Sequence, residues 1–159
     1  MTAPRTPQRH FLDTTLLPRF AAGFAPDARV LNLGAGTHPY REPFRCPVVT
    51  SDRVAGRCDE AYPAEAIPEA DQTVDGIVCT GVFERLDDPM QALRECARVL
   101  KPGGTLLFGA PGLDFPWQAR SDRWRLTPGG AAYVVQAFDV LEAHPFGHTY
   151  YFYVLRRPA

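Results

Sequence analysis

The chain has 159 residues, 45% hydrophobic and 22% charged, with a formal net charge of −1. That length carries one domain with a sizeable core (residues 1–159, the first seven reading as a flexible arm), and the near-neutral charge leaves no electrostatic footprint for nucleic acid. No apolar run approaches the roughly 18 residues of a membrane span, and the polar start from Met1 to Arg9 has no signal-peptide apolar stretch. Cys46, Cys58, Cys79 and Cys96 lack Cys-x-x-Cys spacing, so neither disulfides nor a metal site is expected and the location read from the sequence is cytoplasmic.

Pro7 opens a helix whose Phe11, Leu12, Leu16, Phe20 and Phe24 share one face, with a kink or interruption at Pro18. After a turn at Gly23 to Asp27, Ala28 to Leu33 reads as a buried strand. Only about a dozen residues separate Gly36 from Val48, room for one or two helical turns around Tyr40 to Phe44. The second strand ends at Asp52. Arg53 to Thr73 has space for a poor strand near Cys58 to Tyr62 and a turn at Ile67-Pro68. Asp75 to Cys79 is a strand, and Pro89 to Leu100 is a helix capped by Asp88 and stopped by Lys101-Pro102-Gly103-Gly104. Thr105 to Phe108 is the next strand. Pro111 to Arg125 is a loop with two tryptophans and five charges. Thr127-Pro128 opens a last helix to about Ala137. Phe138 to His144 and Thr149 to Leu155 form an antiparallel hairpin around Phe146-Gly147. The alternation predicts an α/β fold: a mostly parallel sheet, helices on both faces, right-handed crossovers and a terminal antiparallel hairpin.

Val30-Leu31-Asn32-Leu33 runs straight into Gly34-Ala35-Gly36. Glycines there let the backbone turn sharply and approach a ligand. Eighteen residues after Gly34, Asp52 closes the second strand, where a carboxylate can accept hydrogen bonds from both ribose hydroxyls. The pair points to a nucleoside cofactor across the carboxyl ends of adjacent strands. A dinucleotide fingerprint wants a third glycine at position 39, which is Pro39 here.

Those residues, together with Ile67-Pro68, the run Asp75-Gly76-Ile77-Val78-Cys79-Thr80-Gly81-Val82-Phe83-Glu84 and the run Arg98-Val99-Leu100-Lys101-Pro102-Gly103-Gly104, resemble the class I S-adenosylmethionine-dependent methyltransferases, in particular the small type-11 group. The segment Asp122 to Pro128 is similar to the one leading into their penultimate helix. The resemblance implies a Rossmann-like fold and S-adenosyl-L-methionine as cofactor. It implies that Gly34, Ala35 and Gly36 pass under the methionine moiety, that Asp52 holds the ribose, that Arg53 or Val54 flanks the adenine, that Ile67 edges the adenine pocket, and that Thr80 and Gly81 close the site. The chain departs from the family at Asn32, where Asp is usual, at Pro63, where an acid holds the adenine amine and Glu65 is the candidate substitute, at Glu84-Arg85, where Glu-His is common, and at His38 after the turn. The helices after strands 1 and 2 are shortened.

Methyl transfer from a sulfonium is an in-line displacement, for which orientation is the main requirement. A base is needed for hydroxyl or protonated amine acceptors. His38, just after the glycine turn, and Glu84, at the carboxyl end of the fourth-strand segment, are the catalytic candidates; helix capping or cofactor carboxylate binding for His38 and a surface ion pair for Glu84 are the alternatives. Tyr40, Trp117, Arg120 and Trp124 are substrate-binding candidates, the last three because aromatics interleaved with arginines suit a planar or anionic acceptor. Arg125 reads as a partner of Asp122 or Glu84.

The function read from this is methyl transfer from S-adenosylmethionine to a small-molecule or glycan-type acceptor. A methyltransferase-like protein that binds a ligand or partner without methylating is the first alternative, and a nicotinamide-dependent oxidoreductase the second, disfavoured by Pro39 and the Lys-Pro-Gly-Gly run. The short crossovers also predict an apolar sheet face that the N-terminal helix with Phe11, Leu16 and Phe20 covers only in part; the rest is expected to be hidden in a homodimer or against a partner protein through that helix and the Tyr40 to Arg45 segment, or else folded over by prolines and the loop at Ala61 to Pro68.

Overall fold

Thr6 caps the first helix by accepting the Arg9 N–H, and Pro7 sits where its missing N–H costs nothing. The computed structural model describes residues 6–36, 39–116 and 120–159. The N-terminal helix runs on in three pieces, α-helical at Pro7–Phe11, π-wound at Leu12–Leu16 and α-helical again at Leu17–Ala21. Pro18 offers no N–H and crowds the carbonyl of the preceding turn; the wide turn ahead of it absorbs that conflict, so the helix is widened rather than ended.

The strands are β1 (Val30–Asn32), β2 (Val48–Asp52), β3 (Glu60–Ala61), β4 (Val74–Thr80), β5 (Leu100–Pro111), β6 (Asp139–Phe146) and β7 (Tyr150–Arg156). They form a seven-stranded sheet in the order β3-β2-β1-β4-β5-β7-β6. The first five pair in parallel, and β7 runs antiparallel between β5 and β6. The chain leaves β1 towards β2 and β3 and returns to β4 on the other side. That reversal puts a crevice at the carboxyl ends of β1 and β4, where ligands bind in open α/β sheets.

β5 is longer than the sequence pattern predicts. Val74 pairs with Leu100 and Gly76 with Thr105, so Lys101 to Gly104 bulges out of the ladder, with Gly103 at φ 79°. The helix Pro89–Val99 has Asp88 as its cap, through the Gln91 N–H, and buries Ala92, Leu93, Cys96 and Val99. The helix Pro128–Val134 ends three residues before Ala137, the predicted end, and the chain turns at once to bury Val135 and Phe138.

Alternation along the strands divides the core in two. Leu31, Leu33, Ile77, Cys79, Leu106 and Phe108 face the helices Pro89–Val99 and Pro128–Val134, joined by Tyr62, Ala64 and Ile67. Val30, Val48, Val78, Leu107, Phe152 and Val154 face Leu12, Leu16, Leu17 and Phe20 of the N-terminal helix and Phe44. The helical turns expected around Tyr40 to Phe44 reduce to one hydrogen-bonded turn, from the Phe44 N–H to the Arg41 carbonyl at 3.0 Å. Among the described residues no helix lies between β1 and β2 or between β2 and β4.

The bare face that argued for a homodimer or partner is closed within one chain. Phe20, Phe24 and Phe44 form an aromatic cluster over it, with centroids 5.1 to 6.4 Å apart. The Phe24 ring lies where a side chain at position 76 would stand, which is why β4 carries Gly76. The same helix reaches the other end of the chain. Gln8 bonds Thr149 at 2.8 Å, Arg19 pairs with Glu142 at 2.7 Å, and Phe11 packs on Phe146 and Phe152. No helix among the described residues is long and apolar enough to cross a membrane.

Candidate functional site

β1 hands over to the turn through the Leu33 N–H, which donates to the Val78 carbonyl at 2.9 Å. Gly34 and Gly36 then adopt φ of 59° and 55°, and the Ala35 N–H between them donates to the Ser51 carbonyl at 2.9 Å. The two glycines serve different ends. A Cβ on Gly34 would stand 2.6 Å from the Val82 side chain, whereas among the described residues one on Gly36 would meet only the Asp52 Oδ2, at 3.8 Å. Asp52 therefore faces the turn, and its Oδ1 is fixed by the Val54 N–H at 2.9 Å.

Between these groups lies a cavity of about 610 Å³. Gly34, Asp52, Arg53 and Val54 form one side; Tyr62, Pro63, Ala64 and Glu65 line it next; Gly81, Val82, Arg85 and Leu86 close the far side. Ser121, Asp87 and Asp88 complete the rim. Of the predicted cofactor residues, Gly34, Asp52, Arg53 and Gly81 thus share one cavity, with Ala35 and Gly36 in the turn beside it. A nucleoside fits this arrangement: the glycine at 36 leaves open the space beside the carboxylate.

Ile67 does not line the cavity. It is 3% exposed and packed in the core, its N–H donates to Glu95 and its carbonyl accepts from Arg98. Its neighbours Tyr62 to Glu65 form the wall instead. Thr80 hydrogen-bonds the Tyr40 hydroxyl, and burial raises the pKa of that hydroxyl while Arg9 opposes the rise. The Arg9 guanidinium lies over the Tyr40 ring, 5.1 Å from its centroid.

Trp124 is also outside the cavity. Its indole N–H donates to the Leu86 carbonyl at 2.8 Å, anchoring the loop after β5, and the ring is 42% exposed. The Arg123 N–H donates to the Glu84 carbonyl at 2.6 Å, the Arg123 side chain pairs with Asp87, and Arg125 pairs with Asp122 at 2.8 Å. Arg120 is exposed. His38 and Trp117 lie outside the described residues.

Glu84 is 5% exposed, not a surface residue. Burial raises its pKa; a hydrogen bond from its own backbone N–H, then Arg85 and Arg125, oppose the rise, and Asp122 adds to it. Among the described residues its Oε2 has no hydrogen-bond partner. Arg85, whose Nη1 donates to the Gly81 carbonyl at 3.0 Å, was not among the predicted site residues, nor were Asp87, Asp88 and Ser121. Their only signal is position just beyond a strand's carboxyl end or on the loop facing it.

Asn32 is 2% exposed and structurally committed. Its Oδ1 accepts the Tyr40 N–H at 3.0 Å and its Nδ2 points to the Val78 carbonyl at 3.5 Å.

Residues 31–108 match the family model described as a methyltransferase domain. With this strand order and the glycine turn facing Asp52, the chain belongs to the class I S-adenosylmethionine-dependent methyltransferases, type-11 group. It is 35% identical over 109 residues to a malonyl-[acyl-carrier protein] O-methyltransferase of Methylococcus capsulatus, covering 55% of this chain and 38% of the relative. It is 33% identical over 101 residues to a demethylmenaquinone methyltransferase of Renibacterium salmoninarum, covering 55% of this chain and 43% of that one. The chain spans less than half the length of either. Among solved structures, the YcgJ protein of Bacillus subtilis superposes with a TM-score of 0.75 at 15% identity, covering 94% of this chain and 99% of the other.

Proposed function

We propose that this protein binds S-adenosylmethionine in the cavity between Gly34, Asp52 and Gly81 and transfers its methyl group to a small-molecule or glycan-type acceptor. The observation that carries the reading is the Asp52 carboxylate facing Gly36 across the β1–β2 carboxyl ends, with no other atom of the described residues within 4 Å of that glycine's missing side chain. The cofactor supplies an already activated methyl on a sulfonium. What remains for the chain is to hold, orient and dry the reactants, which can contribute roughly 7–11 kcal/mol. Asp52 fixes the ribose, the turn at Gly34 to Gly36 lets the backbone come close, and the apolar walls at Val54, Val82 and Leu86 exclude water.

Relatives named for a malonyl group on a carrier protein and for demethylmenaquinone support an acceptor other than nucleic acid, in keeping with the net charge of −1. The four cysteines are free thiols, which suits a reducing cytoplasm. The reading is tested by calorimetry with S-adenosylhomocysteine. Asp52→Ala should weaken binding by roughly 1.5–3 kcal/mol through loss of charge-assisted hydrogen bonds. Unchanged affinity would remove Asp52 from the site. Ligand binding without methylation is the second reading, favoured by Pro63, whose side chain brings no acceptor to the cavity wall. Formation of S-adenosylhomocysteine over a panel of acceptors separates the two.

A further inference from the structure

The methionine end of the cavity poses a charge problem. β1 contributes no carboxylate there: its last residue is the neutral Asn32, with both ends of its amide committed to the Tyr40 N–H and the Val78 carbonyl. The carboxylates on the cavity rim are also engaged. Asp87 pairs with Arg123, a Glu65 oxygen accepts the Asp87 N–H at 3.0 Å, and Asp88 caps its helix through Gln91. Asp52 stands on the side of the cavity away from Gly81, facing Gly36, with its Oδ1 held by the Val54 N–H.

Glu84 is different. It lies just behind the cavity wall at Gly81, which has φ 68° and no side chain. Among the described residues, the Glu84 Oε1 is the only atom within 4 Å of where a Cβ at Gly81 would stand, at 4.0 Å. Position 81 therefore places no side chain of its own between this carboxylate and the cavity. Arg85 faces Oε1 at 3.6 Å but is shared with Asp122, also at 3.6 Å, and with the Gly81 carbonyl. The Oε2 is buried and has no hydrogen-bond partner among the described residues. A buried carboxylate oxygen in that condition is costly unless a donor or cation arrives to meet it.

We propose that Glu84, through the gap at Gly81, supplies the counter-charge for a cationic centre at the methionine end of the cofactor. The inference rests on the cofactor reading above. Two groups of S-adenosylmethionine carry that charge, the sulfonium and the α-ammonium, and three ligands tell them apart. S-adenosylmethionine has both, S-adenosylhomocysteine has the ammonium alone, and 5′-methylthioadenosine has neither.

The test is calorimetry of wild type and Glu84→Gln with all three. The variant should bind S-adenosylmethionine roughly ten- to a hundredfold more weakly and leave 5′-methylthioadenosine within about twofold. An equal loss for S-adenosylhomocysteine assigns the partner as the ammonium; no loss for it assigns the sulfonium. Unchanged affinity for S-adenosylmethionine, or equal weakening of all three ligands, overturns the proposal while leaving the cofactor reading in place. Wild-type protein that binds none of them overturns the cofactor reading itself.

A second measurement does not depend on the variant folding. The charged and titratable groups facing Glu84 are Arg85, Arg125, Asp122, the Cys79 thiol and the Tyr150 hydroxyl; burial raises its pKa, its own backbone N–H and the two arginines oppose the rise, and Asp122 adds to it. As pH falls and Glu84 gains a proton, the wild-type preference for S-adenosylmethionine over 5′-methylthioadenosine should narrow. A preference that stays flat across that range overturns the proposal.

Discussion

Gly34 and Gly36 look equivalent in the sequence, both being glycines of one turn in the left-handed region, yet they answer to different neighbours. Gly34→Ala presses a methyl onto Val82 at 2.6 Å in a backbone conformation that already disfavours it, and should cost roughly 2–4 kcal/mol in thermal or denaturant unfolding. Gly36→Ala meets nothing among the described residues closer than the Asp52 Oδ2 at 3.8 Å and should cost only the roughly 1–2 kcal/mol of the conformation itself. It should nonetheless weaken S-adenosylhomocysteine binding at least as much, because its methyl enters the space the ligand needs. A Gly36→Ala protein that binds normally would show that the turn only supports the sheet. The sequence could not separate the two, since Val82 is 48 residues beyond Gly34. Ile67 is the converse case. The family resemblance places it at the adenine edge, but Glu95 and Arg98 of the neighbouring helix take up its N–H and carbonyl and hold it in the core. Asp52 was placed at a strand end by local pattern and Gly81 by the family resemblance, and both line the cavity.

At the level of elements, buried strands and capped helices were readable because hydrophobic period and caps are local. The Asp88 cap of Pro89–Val99 and the weak strand at Glu60–Ala61 are both where the pattern puts them. Less visible was what covers the sheet beside β1 and β2. A reading by crossover length finds too few residues for helices and grants the N-terminal helix only part of the face, limited by Pro18; in the structure that helix covers it together with rings at Phe24 and Phe44, which lie outside any regular crossover. Phe24 depends on Gly76 for its seat. Gly76→Ala should displace the ring and destabilise the protein by roughly 1–3 kcal/mol, and Phe24→Ala should cost roughly 3–5 kcal/mol by leaving a cavity. In the double variant the collision is gone, so the two losses should fall short of additive in urea unfolding. Strict additivity would mean that ring and glycine are not in contact.

Across the whole molecule, carboxylates pull stability in opposite directions with pH. The Thr50 N–H and then Arg41 hold Asp59 below the usual carboxylate range, and Arg98 first and then the Ile67 N–H after the opposing effect of burial do the same for Glu95. Their folded pKa values are depressed, so the stability they add is present above the unfolded values of roughly 4 and is lost as pH falls through the folded ones. Glu84 is raised by burial, so protonation favours its folded form, and that contribution is lost as pH rises through its folded pKa. Glu84→Gln should therefore melt at or above the wild-type temperature near neutral pH, with the gap closing on acidification. Asp59→Asn should melt lower near neutral pH, and its gap should close below the folded pKa of Asp59. A Glu84→Gln protein less stable than wild type at neutral pH would count against the buried, unmet carboxylate.

The bonds from Gln8 to Thr149 and from Arg19 to Glu142 carry a consequence for how the chain is made. A ribosome adding roughly 5–20 residues per second releases the N-terminal helix on the order of ten seconds before the terminal hairpin that Gln8 and Arg19 bond. During that interval Phe11, which packs on Phe146 and Phe152, has no permanent seat, so the helix settles fully only when the hairpin arrives. Nascent chains stalled before Asp139 should bind holding chaperones through this helix, and release them once β7 has cleared the exit tunnel.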